Sequence, residues 1–273
     1  MSGIDPSIVV HEIKTYPTAR SVRQKLRQVH LRKAAAIKAE VEKILKVGFI
    51  YPIPLTEWVS NIVPVNKKQG TIRVCIDFWY LNKACPKDNF STPHIDQIID
   101  NCAGSVIFSF MDGFLGYNQI EILPVNQHKT TFICLWGTFS YKKLPFGLKN
   151  AGATFQHSMS YAFHDIKNTI EQYLDDLPVH SQQWEYHPQH LRDIFLRCRH
   201  YKIWLNPHKC VFLHWDKMSL RLHSLQGWYL DWSLKYCFNT RFTCPNQPTW
   251  IPKFAREGKI SPLFRLQFRK EDA

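Results

Sequence analysis

Residues 171 to 181 read Glu171-Gln172-Tyr173-Leu174-Asp175-Asp176-Leu177-Pro178-Val179-His180-Ser181. Two short β-prone arms flank a pair of carboxylates, which predicts a hairpin with Asp175 and Asp176 in its turn. Upstream, Val106 to Met111 predicts an apolar strand that delivers Asp112 at its tip. If this strand and the hairpin are neighbours, three carboxylates converge at one sheet edge. Close carboxylates repel by on the order of several pK units unless cations sit between them. Hard oxygen ligands suit Mg²⁺, and two such ions about 3.5 to 4 Å apart stabilise the attacking and leaving oxygens of phosphoryl transfer. The pattern points to nucleotidyl transfer. Taken singly the residues are bland, since Asp favours turns for local hydrogen-bonding reasons and Asp112 alone is an ordinary strand end.

The rest of the chain is compatible with a polyanionic partner. Lys and Arg number 35 against 22 Asp and Glu in 273 residues, a formal charge of +13. An apolar content of 45% and an aromatic content of 14% exclude a disordered chain or a small disulfide scaffold. No run of about 18 apolar residues occurs, so no membrane span is expected. The eight cysteines are scattered and show neither C-x2-C nor C-x4-C spacing. They read as reduced thiols of an intracellular protein rather than zinc ligands.

Residues 20 to 46 carry nine basic groups against Glu40 and Glu42. Ile37, Val41, Ile44 and Leu45 place an apolar stripe on a helix running to about Val47, with Gly48 as its stop. Arg23, Lys25, Arg27 and Lys33 are the candidate nucleic-acid contacts, although a solvated face explains the same charges. Ile62–Asn66 and Thr71–Ile76 predict a strand pair with Lys67 and Lys68 in its loop. Thr92-Pro93 predicts a helix start as N-cap and first helical residue, and Trp136-Gly137 a tight hairpin between Thr130–Leu135 and Thr138–Lys143. Asn150 predicts a cap for a helix through Ala151, Thr154, Phe155 and Met159. Leu191, Ile194, Phe195 and Cys198 predict another helix.

Around these features the text resembles the reverse transcriptase domain of gypsy-type long-terminal-repeat retrotransposon polyproteins. The resemblance runs from about Val22 to Phe212. It rests on Glu57-Trp58-Val59-Ser60-Asn61-Ile62-Val63-Pro64-Val65, Arg73-Val74-Cys75-Ile76-Asp77-Phe78, Leu81-Asn82-Lys83, Phe110-Met111-Asp112-Gly113-Phe114, Gly116-Tyr117-Asn118-Gln119-Ile120, Leu144-Pro145-Phe146-Gly147-Leu148-Lys149-Asn150-Ala151 and Tyr173-Leu174-Asp175-Asp176. It implies an α+β fold, a right-hand polymerase of fingers and palm whose antiparallel palm sheet is backed by helices. Residues 22–212 would form it, with 1–21 an N-terminal tail and 213–273 a divergent tail.

The same resemblance implies an RNA-directed DNA polymerase that adds deoxynucleoside triphosphates to a primer 3′-hydroxyl on an RNA or DNA template. Asp112, Asp175 and Asp176 would be ligands of two Mg²⁺ ions, with Mn²⁺ as a substitute. Tyr117 would lie under the incoming sugar and select against a 2′-hydroxyl. Arg73, with Lys67 or Lys68, would hold the triphosphate, while Phe146 and Gly147 would floor the nucleotide pocket. Lys209 would be the general acid that protonates pyrophosphate.

Departures accompany the match. Trp79-Tyr80 stands where the family shows a basic and an acidic residue, Leu115 replaces a small or polar residue, and Pro178 demands a strand edge or bulge. Past Phe212 no primer-holding glycine hairpin, thumb helix or ribonuclease H segment is read, and a fragment of a decayed element is expected. The alternative is therefore an inert remnant that binds nucleic acid non-specifically.

Overall fold

The computed structural model describes residues 3–66, 72–90 and 92–214. Lys67, Lys68 and the chain from 215 onward, which includes most of the expected divergent tail, lie outside the described residues. In chain order the elements are β1 (Val10–His11), α1 (Leu31–Lys46), β2 (Ile50–Pro52), β3 (Ser60–Asn66), β4 (Ile72–Ile76), α2 (Trp79–Ala84), α3 (Ile95–Asn101) and β5 (Ile107–Asp112), followed by β6 (Glu121–Ile122), β7 (Phe132–Cys134), β8 (Gly137–Tyr141), α4 (Ala151–Ala162), β9 (Asp176–Ser181), α5 (His187–His200) and β10 (Val211–His214).

Two sheets organise the fold, which is α+β as expected. A five-stranded sheet in the order β2-β8-β7-β3-β4 packs its apolar side chains, among them Ile62, Ile76, Phe132, Phe139 and Tyr141, into the main core. A three-stranded antiparallel sheet in the order β10-β5-β9 is backed by α5, whose Ile194 and Cys198 are buried. Pro178 sits on β9, an outer strand of this sheet, where its missing N–H breaks no bond to β5; its carbonyl accepts instead from Glu171 N at 2.9 Å.

Helix α1 ends as its sequence dictates. Ile37 and Val41 face the core, and Gly48 adopts φ +79°, the left-handed conformation that stops a helix at least cost. Leu45, counted in the apolar stripe, is instead largely exposed. The basic residues do not all share that helix. Arg23 pairs in parallel with Val59, and the extended segment around it is held by Gln24 and Asn61: the Asn61 amide donates to Gln24 Oε1 at 3.0 Å and to the Lys25 carbonyl at 2.8 Å. Of the four candidate contacts only Lys33 is helical.

Three local expectations shift. Helix α3 begins at Ile95, with His94 extended before it, because the fixed φ of Pro93 suits extended backbone as well as a first helical turn. The β7–β8 turn is Leu135-Trp136, with Cys134 facing Gly137. Asn150 precedes α4 but does not cap it with its side chain, which accepts from Asp88 N at 3.0 Å and donates to Pro86 O at 2.9 Å.

The ends of the folded unit differ more. Residues 3–21 are not a tail. β1 pairs in parallel with β6, Ile4 and Ile13 are buried, and Ile13 N donates to Asn126 Oδ1 at 3.0 Å. Gly3 lies so close to the backbone that a Cβ there would meet Gln119 O at 1.9 Å. No local period marks this strap, since its partner is remote in sequence. At the other end, Leu213 and His214 belong to β10, so the core continues past Phe212.

Candidate active site

The β5–β9 register places Asp112 opposite Asp176. Tyr173 and Asp176 exchange backbone bonds of 2.9 Å and leave Leu174 and Asp175 in the turn between them. The turn is tied to the end of β5, because Gly113 N donates to Asp175 O at 2.7 Å. Gly116, at φ +41°, faces the Asp175 carboxylate, and a Cβ there would stand 3.4 Å from Asp175 Oδ2. A bulkier residue at this constriction would push the carboxylate away. Leu174 at φ 55° and Leu115 at φ 60° adopt the left-handed conformation without being glycine, which costs roughly 1 kcal/mol each.

Asp112 is only 5% exposed, and its Oδ1 is buried without a hydrogen-bond partner. Its Oδ2 accepts from Lys209 Nζ at 3.0 Å. Burial pushes the Asp175 carboxyl above its usual range; the Asp112 charge adds to this, and Lys209 opposes it. Asp112, Asp175 and Asp176 meet through their backbones at one end of the β5–β9 pair. Among the described residues no group of three acidic, histidine or cysteine side chains is arranged to hold an ion together. The donor set fits Mg²⁺, which is commonly bound through one or two carboxylates plus substrate phosphates, and Asp112 Oδ1 is a buried acceptor without a partner.

Beside the carboxylates, Tyr117 is half-buried and packs edge-on against Phe146, with centroids 4.9 Å apart, and against Phe155 at 5.5 Å. Burial, then Asp175 and Tyr173, push its hydroxyl up to about 12, so it is a neutral phenol at any working pH. Phe146 is exposed, and Gly147, at φ +97°, turns its carbonyl to Asn82 Nδ2 at 2.8 Å. The structure thus packs Phe146, which precedes Gly147, against Tyr117, whose hydroxyl the Asp175 charge acts on.

Arg73 lies exposed on β4, and among the described residues it has no ion-pair partner. Arg23 and Lys25 are exposed, whereas Arg27 is committed to Asp77 at 2.6 Å. Trp79, 60% exposed, carries Lys83 Nζ 4.7 Å above its ring.

Two functional contacts are not foreshadowed by the motifs. Gln156, buried on α4, accepts from Leu174 N at 2.9 Å and donates to Gln172 O at 2.9 Å, so one side chain clamps the carboxylate turn. Asn82 accepts from Lys149 N at 2.8 Å while it holds Gly147, and so fixes the 147–149 segment to α2. A glutamine beside Phe155, on a face otherwise set by Ala151 and Met159, was the available signal, because buried amides need partners.

Residues 65–236 match the family model for reverse transcriptase (RNA-dependent DNA polymerase). The chain belongs to that family. The match continues past Phe212, where the motif resemblance was expected to stop, as far as residue 236. Among relatives, the retrovirus-related Pol polyprotein from transposon 412 of Drosophila melanogaster is 33% identical over 183 residues, 64% of this chain and 15% of its own length. The transposon Tf2-3 polyprotein of Schizosaccharomyces pombe is 29% identical over 181 residues, 66% and 14% respectively. The chain therefore spans about a seventh of the curated relatives it matches.

The fold is that of reverse transcriptase fingers and palm. The native prototype foamy virus protease-reverse transcriptase superposes with a TM-score of 0.68 at 21% identity over 74% of this chain and 27% of that one. The foamy viral protease-reverse transcriptase dRH, in complex with double-stranded DNA, gives 0.67 at 21% over 74% and 35%. The foamy viral enzyme in complex with an RNA/DNA hybrid gives 0.68 at 21% over 74% and 27%.

Proposed function

We propose that the chain is the polymerase portion of an RNA-directed DNA polymerase, which extends a primer 3′-hydroxyl with deoxynucleoside triphosphates on an RNA or DNA template. The observation that carries this reading is the buried, unsatisfied Asp112 oxygen beside the Asp175 turn, in a chain of this family. Asp112 and Asp175, with Asp176 opposite Asp112, would hold two Mg²⁺ ions; Mn²⁺ has the charge and ligand taste to replace them. When bound, such ions lower the charge on the attacking and leaving oxygens.

The chain's own residues orient the reactants. Gln156 holds the turn, and Tyr117 offers a neutral ring wedged between Phe146 and Phe155, a rigid floor for a sugar. That ring selects deoxyribose by leaving no room for a 2′-hydroxyl. Arg73 supplies a donor fork for the triphosphate, with Lys67 or Lys68 as a point charge. Duplexes of the kinds found with the foamy viral structures, double-stranded DNA and an RNA/DNA hybrid, fit the excess of basic groups as template-primer. The intact carboxylates favour this over a chain that only binds nucleic acid.

Primer extension by the full chain on an RNA template with Mg²⁺ tests the reading. Asp112→Asn should lower extension at least roughly 10³-fold and leave duplex affinity, measured by filter binding, intact or slightly raised. Extension by Asp112→Asn at the wild-type rate would overturn it.

A further inference from the structure

Lys209 is bound to one of the carboxylates of this site. Its ammonium lies 3.0 Å from Asp112 Oδ2, where a cation is needed. Its charge also acts on Asp175, against the upward push of burial on that carboxyl. Two features make the contact a built one. The turn that bears Lys209 is fixed to Asp112 itself: Asn206 N donates to Asp112 O at 2.8 Å, and Asn206 O accepts from Lys209 N at 3.1 Å and from Cys210 N at 3.2 Å. Gly113 pairs with Leu205 immediately before it. The backbone therefore cannot drift, but the side chain can, because the lysine side chain is 51% exposed while that of Asp112 is 7% exposed.

We propose that Lys209 is a tethered counter-ion that balances the charge of Asp112 through Oδ2 while Oδ1 has no partner, and is displaced into solvent when a divalent ion binds this carboxylate. The proposal rests on the metal-binding reading of the carboxylates given above. A buried carboxylate without a cation is costly, so the ammonium stabilises the ion-free site. An ammonium and a divalent cation cannot both sit against one carboxylate without repulsion, so the lysine weakens ion binding by the free energy it contributes to the ion-free state. The strongly hydrated ammonium returns to water at little cost from a half-exposed position.

Mn²⁺ alone, without nucleotide, is the probe, followed by the loss of its free-ion electron paramagnetic resonance signal on titration into the full chain. Lys209→Met should bind Mn²⁺ roughly tenfold more tightly than wild type. It should melt lower without the ion and gain more in melting temperature when the ion is added. Lys209→Gln, which keeps a polar side chain, should show the same tightening should the methionine variant fail to fold, and Lys209→Arg should remain near wild type. Unchanged or weaker Mn²⁺ binding in the neutral variants would overturn the counter-ion role. Asp112→Asn separates the two readings. If it abolishes binding while Lys209→Met leaves affinity at the wild-type value, only the lysine proposal falls. If it binds Mn²⁺ as wild type does, the carboxylate site itself has been misassigned and both fall.

Discussion

The two sheets are held together by different physics. In the five-stranded sheet Phe132 packs its ring 5.8 Å from Phe139 and 5.6 Å from Tyr141, and the polar side chains buried there, Ser60, Asn61 and Ser140, include no imidazole or carboxylate. In the three-stranded sheet that ends in the carboxylates, buried polar side chains tie strand to helix. Leu213 N donates to Ser109 Oγ at 3.1 Å, Ser109 meets His187 Nε2 at 2.8 Å, and Ser181 meets His187 Nδ1 at 2.7 Å and His190 Nδ1 at 2.8 Å. Every proton in this chain finds an acceptor if Ser109 donates to His187, His187 to Ser181, and Ser181 to His190. Shape complementarity tolerates any pH, whereas a directional chain through a neutral imidazole does not. The sheet that bears the chemistry is the conditional one.

The sharpest way to break the contrast is a cavity in the first sheet. Phe132→Ala should cost about 3 to 5 kcal/mol in urea unfolding, while extension per folded molecule stays near wild type. An equal loss of both would mean that the five-stranded sheet shapes the site as well as the core.

Acid should act on the second sheet. Burial, then His190 and His180, lower the His187 imidazole from 6.5 to about 4, and burial lowers His11, which bonds Thr154 Oγ1, to about 4 as well. Both are neutral when folded and charge more readily when unfolded. Their contribution is therefore complete above pH 6.5 and is lost as pH falls toward 4. The melting temperature should drop by roughly 10 °C between pH 7 and pH 5. His187→Gln, which can bond both serines without titrating, should reduce that drop; an unaltered drop would mean other groups govern acid lability.

Gln156→Ala should be milder in stability, about 1 to 2 kcal/mol for two buried bonds. It should slow extension roughly tenfold with little change in nucleotide KM, because the turn loses its clamp and the carboxylates their position. The smallest effect belongs to the basic segment. Neutralising Arg23, Lys25 and Lys33 should lower the log–log salt dependence of duplex affinity by about 0.9 for each phosphate that no longer meets a cation. Neutralising Arg27 should add little to this, because Asp77 already engages it.

Patterns confined to a few turns of chain were readable in the sequence. The period of Ile37 and Val41, the apolar spacing of α4 and α5, and the hairpin bearing Asp175 and Asp176 all have local causes. The motif order pointed to the α+β fingers and palm. What escaped is set by partners remote in sequence: the packing of Ile4 and Ile13, the addition of β10 beside β5, and the grip of Gln156 on Leu174. The carboxylates were legible by identity but not in arrangement. No pattern in Asn206-Pro207-His208-Lys209 says that its lysine lies on Asp112.

The N-terminal strap has a consequence for the order in which the chain acquires structure. Val10 pairs with Glu121, a separation of 111 residues, so β1 cannot find its place until β6 and the 3₁₀ turn over Gly116–Gln119 that abuts Gly3 exist. Pairings of such span carry a loop-closure cost that is repaid only after the nearer strands have assembled. The strap thus docks late, as a seal on a preformed sheet edge. Its burial of Ile4 and Ile13 mainly slows unfolding rather than speeding folding, which makes the first residues of the folded unit a kinetic latch.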